Sequence, residues 1–386
     1  MSDRKVVVSA RNATLFNSDG STHTDLVAAN GTLLLGHGNP AVVKALAEQN
    51  EKVWITGRLD TNIRLQAIEL TEQLIPDGYY VAGFYSTGME AAEFALRASR
   101  VLTGRPDFVG FAGCMHGKSI ATAFLSWDAP YGRALPGMVR LPFPATEQAS
   151  TTLAQLETVI ARRETAAVVL EVVQGSSHGA VVDHDFCRSL TDLCRAHKTL
   201  LIVDEILTGF HRTGPLFFHS RLPIEPDIIL AGKCMGNGFP VSAIIMRRGM
   251  AINPQMLPYS TYAENALAAA AVVGTLSEMK RLPIAKMAEA VEARIREHLG
   301  RSAPDSYIVS IYGAMCIIDV RESASAQRIA DLCYQRGVLI SHAGSLLRLL
   351  PPVTIEQPQL EQALDVLDAA IRDSEERGHP VAAGNL

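Results

Sequence analysis

Residues 200–233 read LLIVDEILTGFHRTGPLFFHSRLPIEPDIILAGK, and the fold follows from their pattern. An unbroken apolar run, 200–203, delivers two acids, Asp204 and Glu205. A loop built on Thr208, Gly209, Gly214 and Pro215 follows. A second run, 228–230, delivers Gly232 and Lys233. Short runs of β-branched residues and Leu bounded by Gly and Pro predict buried parallel strands. Two such strands put an acid and an amine at the carboxyl edge of a sheet, where open α/β sheets bind ligands. Burial disfavours the charged form of a lysine there, which makes it a usable nucleophile toward a carbonyl.

Composition narrows the class. The 386 residues are 48% apolar and 19% charged, as in a globular protein with a sizeable core. A net charge of −5 argues against a nucleic-acid partner, which calls for a basic stripe. No window is apolar and long enough to span a bilayer, and the opening MSDRKVVVSA lacks the apolar core of a signal peptide. Six scattered cysteines form no CxxC pair, so reduced thiols, a cytoplasmic protein and no metal are expected.

Along the chain, residues 5–9 and 32–35 predict strands, with a turn at Asn17-Ser18-Asp19-Gly20 between them. Pro40 starts a helix, and 62–75 has helical spacing stopped by Pro76. Residues 79–85 predict a strand, followed by Ser86-Thr87-Gly88-Met89-Glu90 and a helix to about 103. That turn presents backbone N–H groups and partial positive charge, which suits a phosphate; an ordinary N-cap by Ser86 or Thr87 explains the same letters. Further strands are expected at 108–111, 167–173 and 241–246, the second carrying an acid, Glu171. Helices are expected at 151–163, 186–197, 263–281 and 284–299, and an irregular Pro-rich region up to 149. The 263–281 helix is long enough to link two domains. Strands at 307–309, 314–320, 338–340 and 346–350 with helices at 324–336 and 358–374 then suggest a smaller α+β module.

These residues allow two readings. Residues 112–119, AGCMHGKS, are one substitution from the phosphate loop GxxxxGK[ST], and 200–205 would hold its magnesium. That reading loses the first glycine at Ala112 and leaves Lys233 and the Ser86 turn idle. A pyridoxal phosphate site uses more of them at once. Lys233 is then the Schiff-base lysine and Asp204 the acid for the ring nitrogen. The amides of Gly88 and Met89, with Ser86 and Thr87, take the phosphate. Met115 or His116 covers one ring face and Ile206 the other. Once displaced by substrate, Lys233 is an amine able to move a proton. Alone, Lys233 reads as an ordinary strand-end lysine reaching water; the conjunction with Asp204 and the phosphate turn gives it a role.

The chain resembles a class III (subgroup II) aminotransferase of pyridoxal phosphate fold type I over nearly its whole length. The likeness rests on Gly36-His37-Gly38-Asn39-Pro40, on DEILTGF at 204–210 with Arg212-Thr213-Gly214, and on Ala231-Gly232-Lys233 before MGNGFP at 235–240. It implies an α/β fold: a large domain with a mostly parallel, seven-stranded sheet flanked by helices, plus a smaller α+β C-terminal domain. The implied boundaries are 1–40 for an N-terminal segment packing with the small domain, 41–275 for the cofactor-binding domain and 276–386 for the small domain. It implies Lys233 and Asp204 as catalytic residues, Glu171 beside the cofactor, and Thr261 offered to the phosphate of a neighbouring subunit, hence a homodimer. Arg348 matches an arginine that grips a substrate carboxylate. Trp54 to Arg58 and the loop carrying Asp128, Tyr131 and Arg133 would line the substrate pocket, with His178 and His211 as loop histidines nearby.

Some positions depart from the family pattern. Met115 replaces an aromatic residue, and Val172 follows Glu171 in place of proline. Leu207 stands where many relatives have a glutamine. Ser176 lies near where some relatives carry a glutamate that masks the arginine, so Arg348 stays available. Transamination of a carboxylate-bearing amino donor is the implied reaction. The alternative is another pyridoxal chemistry on the same scaffold: β/γ-elimination and replacement, carbon–carbon bond formation or an amino shift. A cofactor-free binding protein has no chemical reason to keep both Lys233 and Asp204.

Overall fold

The computed structural model describes residues 5–57, 59–126, 135–250 and 260–378. The chain opens with strands β1 (Val7–Arg11), β2 (Thr14–Asn17) and β3 (Thr22–Asp25) and one turn, α1 (Ala28–Gly31). Next come α2 (Pro40–Asn50), α3 (Asn62–Glu72), β4 (Tyr79–Tyr85), α4 (Gly88–Thr103), β5 (Asp107–Phe111), α5 (Ile120–Phe124) and β6 (Met138–Leu141). They are followed by α6 (Ala149–Ile160), β7 (Thr165–Leu170), α7 (His184–His197), β8 (Leu200–Asp204), β9 (Ile228–Gly232), β10 (Ser242–Arg247) and α8 (Ala266–Arg281). The chain continues with α9 (Ile284–Ser302), β11 (Ile308–Tyr312), β12 (Met315–Asp319), α10 (Ser323–Gln335), β13 (Val338–Leu339), β14 (Ser341–Ala343), β15 (Leu346–Leu349) and α11 (Gln357–Gly378).

Residues 40–282 form one compact unit around a seven-stranded sheet of order β4-β10-β9-β8-β7-β5-β6. Only β10 runs against its neighbours, so the sheet is mostly parallel. Its central strands are apolar on both faces because helices cover both: every residue of β7 and β9 is buried. The flanking helices start where side chains satisfy first-turn amides. Thr87 caps α4, Asp183 caps α7 and Asn265 caps α8. Gly104, at φ 69°, ends α4 in the left-handed conformation. Along the parallel ladders Leu170 lies opposite Val203 and Asp204 opposite Leu230. Glu171, Asp204 and Lys233 therefore leave three adjacent strands at the same edge.

Residues 1–39 and 283–386 form the second compact unit. Here β3 pairs in parallel with β13, giving the order β1-β2-β3-β13, and a second, antiparallel sheet runs β11-β12-β15-β14. The division falls after Leu282, not at 275, because α8 continues unbroken to Arg281 and Leu282 turns extended before Pro283. The expected linker helix thus belongs wholly to the larger unit.

Three local expectations need correction. Residues 32–35 are not a strand: Leu33, Leu34 and Leu35 are all buried, and the segment turns, with Leu34 O accepting the Val353 N–H at 2.8 Å. Three consecutive buried residues do not fit the alternation of a half-covered strand. The irregular region before 149 contains β6, a half-buried edge strand whose Arg140 and flanking prolines hid it. The short β14 was hidden because its polar Ser341 and His342 give no apolar run.

α2 and α8 approach closely at Gly274, where an added Cβ would stand 2.9 Å from both Ala41 O and Val42 Cα. Backbone atoms cannot swing aside, so Gly274→Ala is expected to cost about 1–3 kcal/mol and lower the melting temperature. An unchanged melting curve would show that the two helices are not held at this spacing.

Candidate active site

The turn after β4 is built by reciprocal hydrogen bonds. Thr87 Oγ1 accepts the Glu90 N–H at 3.1 Å, and Glu90 Oε2 accepts the Ser86 N–H at 2.8 Å. Thr87 is thus an N-cap, and the amides of Gly88 and Met89 remain without a partner among the described residues. Capping one amide leaves two others open to an anion, so the N-cap and a phosphate are compatible at this turn. Ser242, at the start of β10, donates to Thr87 O at 2.7 Å and fixes the turn to the sheet. Gly88 lets Ile206 lie close: a Cβ would stand 2.7 Å from Ile206 Cδ1 and push the isoleucine aside. Ile206 also lies against Gly232, so its side chain spans from the phosphate-type turn to the residue before Lys233.

Residues 112–117, after β5, are stitched to the strand ends at three points. Glu171 Oε2 accepts the Met115 N–H at 2.7 Å, Asp204 Oδ2 lies 2.9 Å from His116 Nδ1, and Gln174 Nε2 donates to Ala112 O at 2.8 Å. His116 therefore turns inward, while Lys118 of the phosphate-loop-like motif stays exposed. Asp204 is 3% exposed and Oδ1 also accepts the Ile206 N–H at 3.0 Å. His116 Nε2 is buried without a partner among the described residues. Glu205 is engaged elsewhere: it accepts the His219 N–H at 2.7 Å and binds Thr208 Oγ1. The sequence reading singled out neither Ser242 nor Gln174, whose small or neutral side chains carry no chemical signal.

Lys233 begins a 3-10 turn, Lys233–Gly236, with φ at 43°. A left-handed lysine costs on the order of 1–3 kcal/mol, and such strain concentrates at functional sites. Its charge is felt at Glu171. Burial and then the Asp204 charge push the Glu171 carboxyl up to about 8, against the Met115 N–H, Lys233 and the Gly175 N–H.

The remaining candidates are more dispersed. Thr261 is exposed on a turn whose Tyr262 O lies 3.5 Å from Ser86 Oγ, and Glu264 of that turn, at φ 57°, donates its N–H to Phe84 O at 3.1 Å. Trp54 is also exposed, its carbonyl accepting the Ala266 N–H at 2.8 Å. His178 bonds Ser177 at 3.0 Å and His211 Nδ1 bonds Gly214 O at 2.9 Å. Arg348 belongs to the smaller unit, on β15 opposite Ile317 and Ser341. Its Nε is buried without a partner, no acid pairs with its guanidinium among the described residues, and burial pushes its pKa down. Arg58, Asp128, Tyr131 and Arg133 lie outside the described residues.

The sequence matches the model of the class-III aminotransferases over residues 2–371. The 2-aminoadipate transaminase of Pseudomonas putida KT2440 is 33% identical over 393 residues, 94% of each chain. The acetylornithine aminotransferase of Methanosarcina mazei is 31% identical, covering 91% of this chain and 88% of the relative. A solved structure of the ornithine aminotransferase from Toxoplasma gondii superposes with a TM-score of 0.85 at 24% identity, covering 97% of this chain and 92% of that one, and attests the fold. The chain belongs to the class-III aminotransferase family. It is a pyridoxal-phosphate-dependent transferase of fold type I. The residues present fit that cofactor: two unpaired amides open a long helix, Gly88 leaves room against Ile206, and an orphaned imidazole nitrogen sits beside a buried acid. This excludes the nucleotide-hydrolase reading of residues 112–119.

Glu171 gives a pH signature in the cofactor-free protein. Its folded pKa, about 8, lies above the ordinary carboxyl value of 4.5, so its stability contribution is full below about 4.5 and lost as pH rises through 8. Across that window the melting temperature of the native protein is expected to fall relative to that of Glu171→Gln. Parallel curves would show that Glu171 is not the titrating group.

Proposed function

We propose that this transferase moves an amino group between a carboxylate-bearing amino donor and a keto acid or aldehyde acceptor, with Lys233 as the Schiff-base lysine. The observation that carries the reading is the buried Asp204, held by His116, on the strand beside the one that ends at Lys233. When bound, pyridoxal phosphate supplies an aldehyde for an amine and a ring that takes up the electron pair released at the substrate carbon. Asp204 holds the proton on the ring nitrogen and keeps its own orientation through His116 and the Ile206 amide. Gly88 and Met89 amides, with Ser86 and Thr87, bind the phosphate. Met115 and Ile206 bound the two ring faces. Lys233, once substrate took its place, would be a free amine able to hold and move a proton beside the substrate carbon.

Arg348 is the carboxylate-binding residue in this reading. A half-buried guanidinium without an ion pair favours an anionic ligand. By name the relatives act on 2-aminoadipate and acetylornithine, both of which carry a carboxylate. The protein acts as a homodimer in which Thr261 serves the partner's phosphate. Exposed Trp54, Ile55, Leu65, Met89 and Tyr262 in the larger unit support such an interface. The reducing cytoplasm suits six buried cysteines that form no disulfide. Among the described residues no helix is long and apolar enough to cross a membrane.

Borohydride reduction of the loaded protein is expected to fix the cofactor on the peptide containing Lys233. Lys233→Ala should lose about 10²–10⁴-fold or more in turnover. A Lys233→Ala protein with near-native turnover removes the assignment. Arg348→Ala is expected to raise KM for carboxylate substrates about tenfold or more while leaving cofactor affinity intact. An unchanged KM would put the carboxylate elsewhere.

A further inference from the structure

Two carboxyl groups, Glu171 and Asp204, leave adjacent strands one step past a paired register and are each at least 95% buried, at 4% and 3% exposure. Like charges so placed cannot both ionise without a large cost, so one member carries a proton. The groups facing Glu171 are Asp204 on β8, Lys233 after β9 and Cys114 in the loop after β5, while His116 of that loop bonds Asp204. Lys233 is the one amine among them. Asp204 has two donors fixed on it, His116 and the Ile206 N–H. Glu171 has the Met115 N–H on Oε2. Its other oxygen, Oε1, lies 3.5 Å from where a Cβ on Gly175 would stand, the Gly175 N–H also acts on the carboxyl group, and Oε1 takes no side-chain hydrogen bond among the described residues. Leu207 crowds the same point at 2.4 Å and offers no donor.

We propose that Glu171 is the neutral acid of this pair and donates its proton in a hydrogen bond to an oxygen of the bound pyridoxal ligand. The Met115 amide anchors one carboxyl oxygen, and with the Gly175 N–H also acting on the group, the protonated oxygen keeps its O–H for the ligand. The role rests on the cofactor site argued above and adds a donor to it. Burial and Asp204 both favour this protonation state up to about pH 8. A neutral acid of this kind has a simple isostere: glutamine is uncharged, has the same shape and keeps a donor.

Pyridoxamine phosphate is a suitable probe because it has no aldehyde to bond to Lys233. Its affinity, read by fluorescence titration across pH, is expected to fall about tenfold per unit above pH 8 in the native protein. Glu171→Gln should bind within about threefold of native near pH 7 and lack that fall, whereas Glu171→Leu should bind about tenfold more weakly. Glu171→Asp, which keeps the acid but withdraws it, should bind weakly yet retain the pH dependence. Glu171→Gln binding as poorly as Glu171→Leu would mean that Glu171 acts as a carboxylate, and overturns the proposal. A high-pH fall that persists in Glu171→Gln assigns it to another group and does the same. Failure of the native protein to bind the probe at any pH would instead bring down the cofactor-site assignment itself.

Discussion

The structure depends on the electrostatic balance among Glu171, Asp204 and Lys233 at the edge of one buried sheet. Removing charges from water is costly, and each of these groups is tolerated only through its partners. His116 and the Ile206 amide hold Asp204, and the Met115 amide holds Glu171. The balance is incomplete within the chain: His116 Nε2 is buried without a partner among the described residues, and two helix-start amides face no acceptor there. A site with such polar groups unsatisfied is prepared for a polar, anionic ligand, and the family's cofactor is one.

The surrounding elements convert this balance into a fixed geometry. The apolar central strands make the sheet rigid, and loops after β4, β5, β7 and β8 are tied to one another by hydrogen bonds through Ser242, Glu171, Asp204 and Gln174. Close approach is handled with glycine where a Cβ would strike a neighbour, as at Gly88 under Ile206 and Gly175 under Leu207. Strain appears at Lys233 itself, where the surrounding sheet holds a left-handed lysine in place. Asp204 and Glu205 show how one residue's step along a strand end divides the roles: the first faces the site, and the second secures the loop to His219.

Much of this was legible in the letters. Runs such as 200–203 and 228–230 carry β-branched residues that fit only a covered strand, and Pro and Gly mark their ends, so the strands and the residues they deliver follow from local chemistry. Less was legible where burial and local pattern disagree. The leucines at 33–35 look like a strand but pack as a turn, and β6 is hidden by an arginine and prolines because an edge strand needs no continuous apolar run.

Local chemistry alone sets the alternation of strands and helices, the amine at 233, the acid at 204 and the turn at 86–90, because each rests on covalent or nearest-neighbour preferences. Long-range packing turns His116 inward to Asp204, presses Glu171 against a second acid, and folds residues 5–39 with 283–378. Those outcomes depend on contacts between segments tens to hundreds of residues apart. Ladder register and the exclusion of water set such contacts, and no local pattern of residues encodes them.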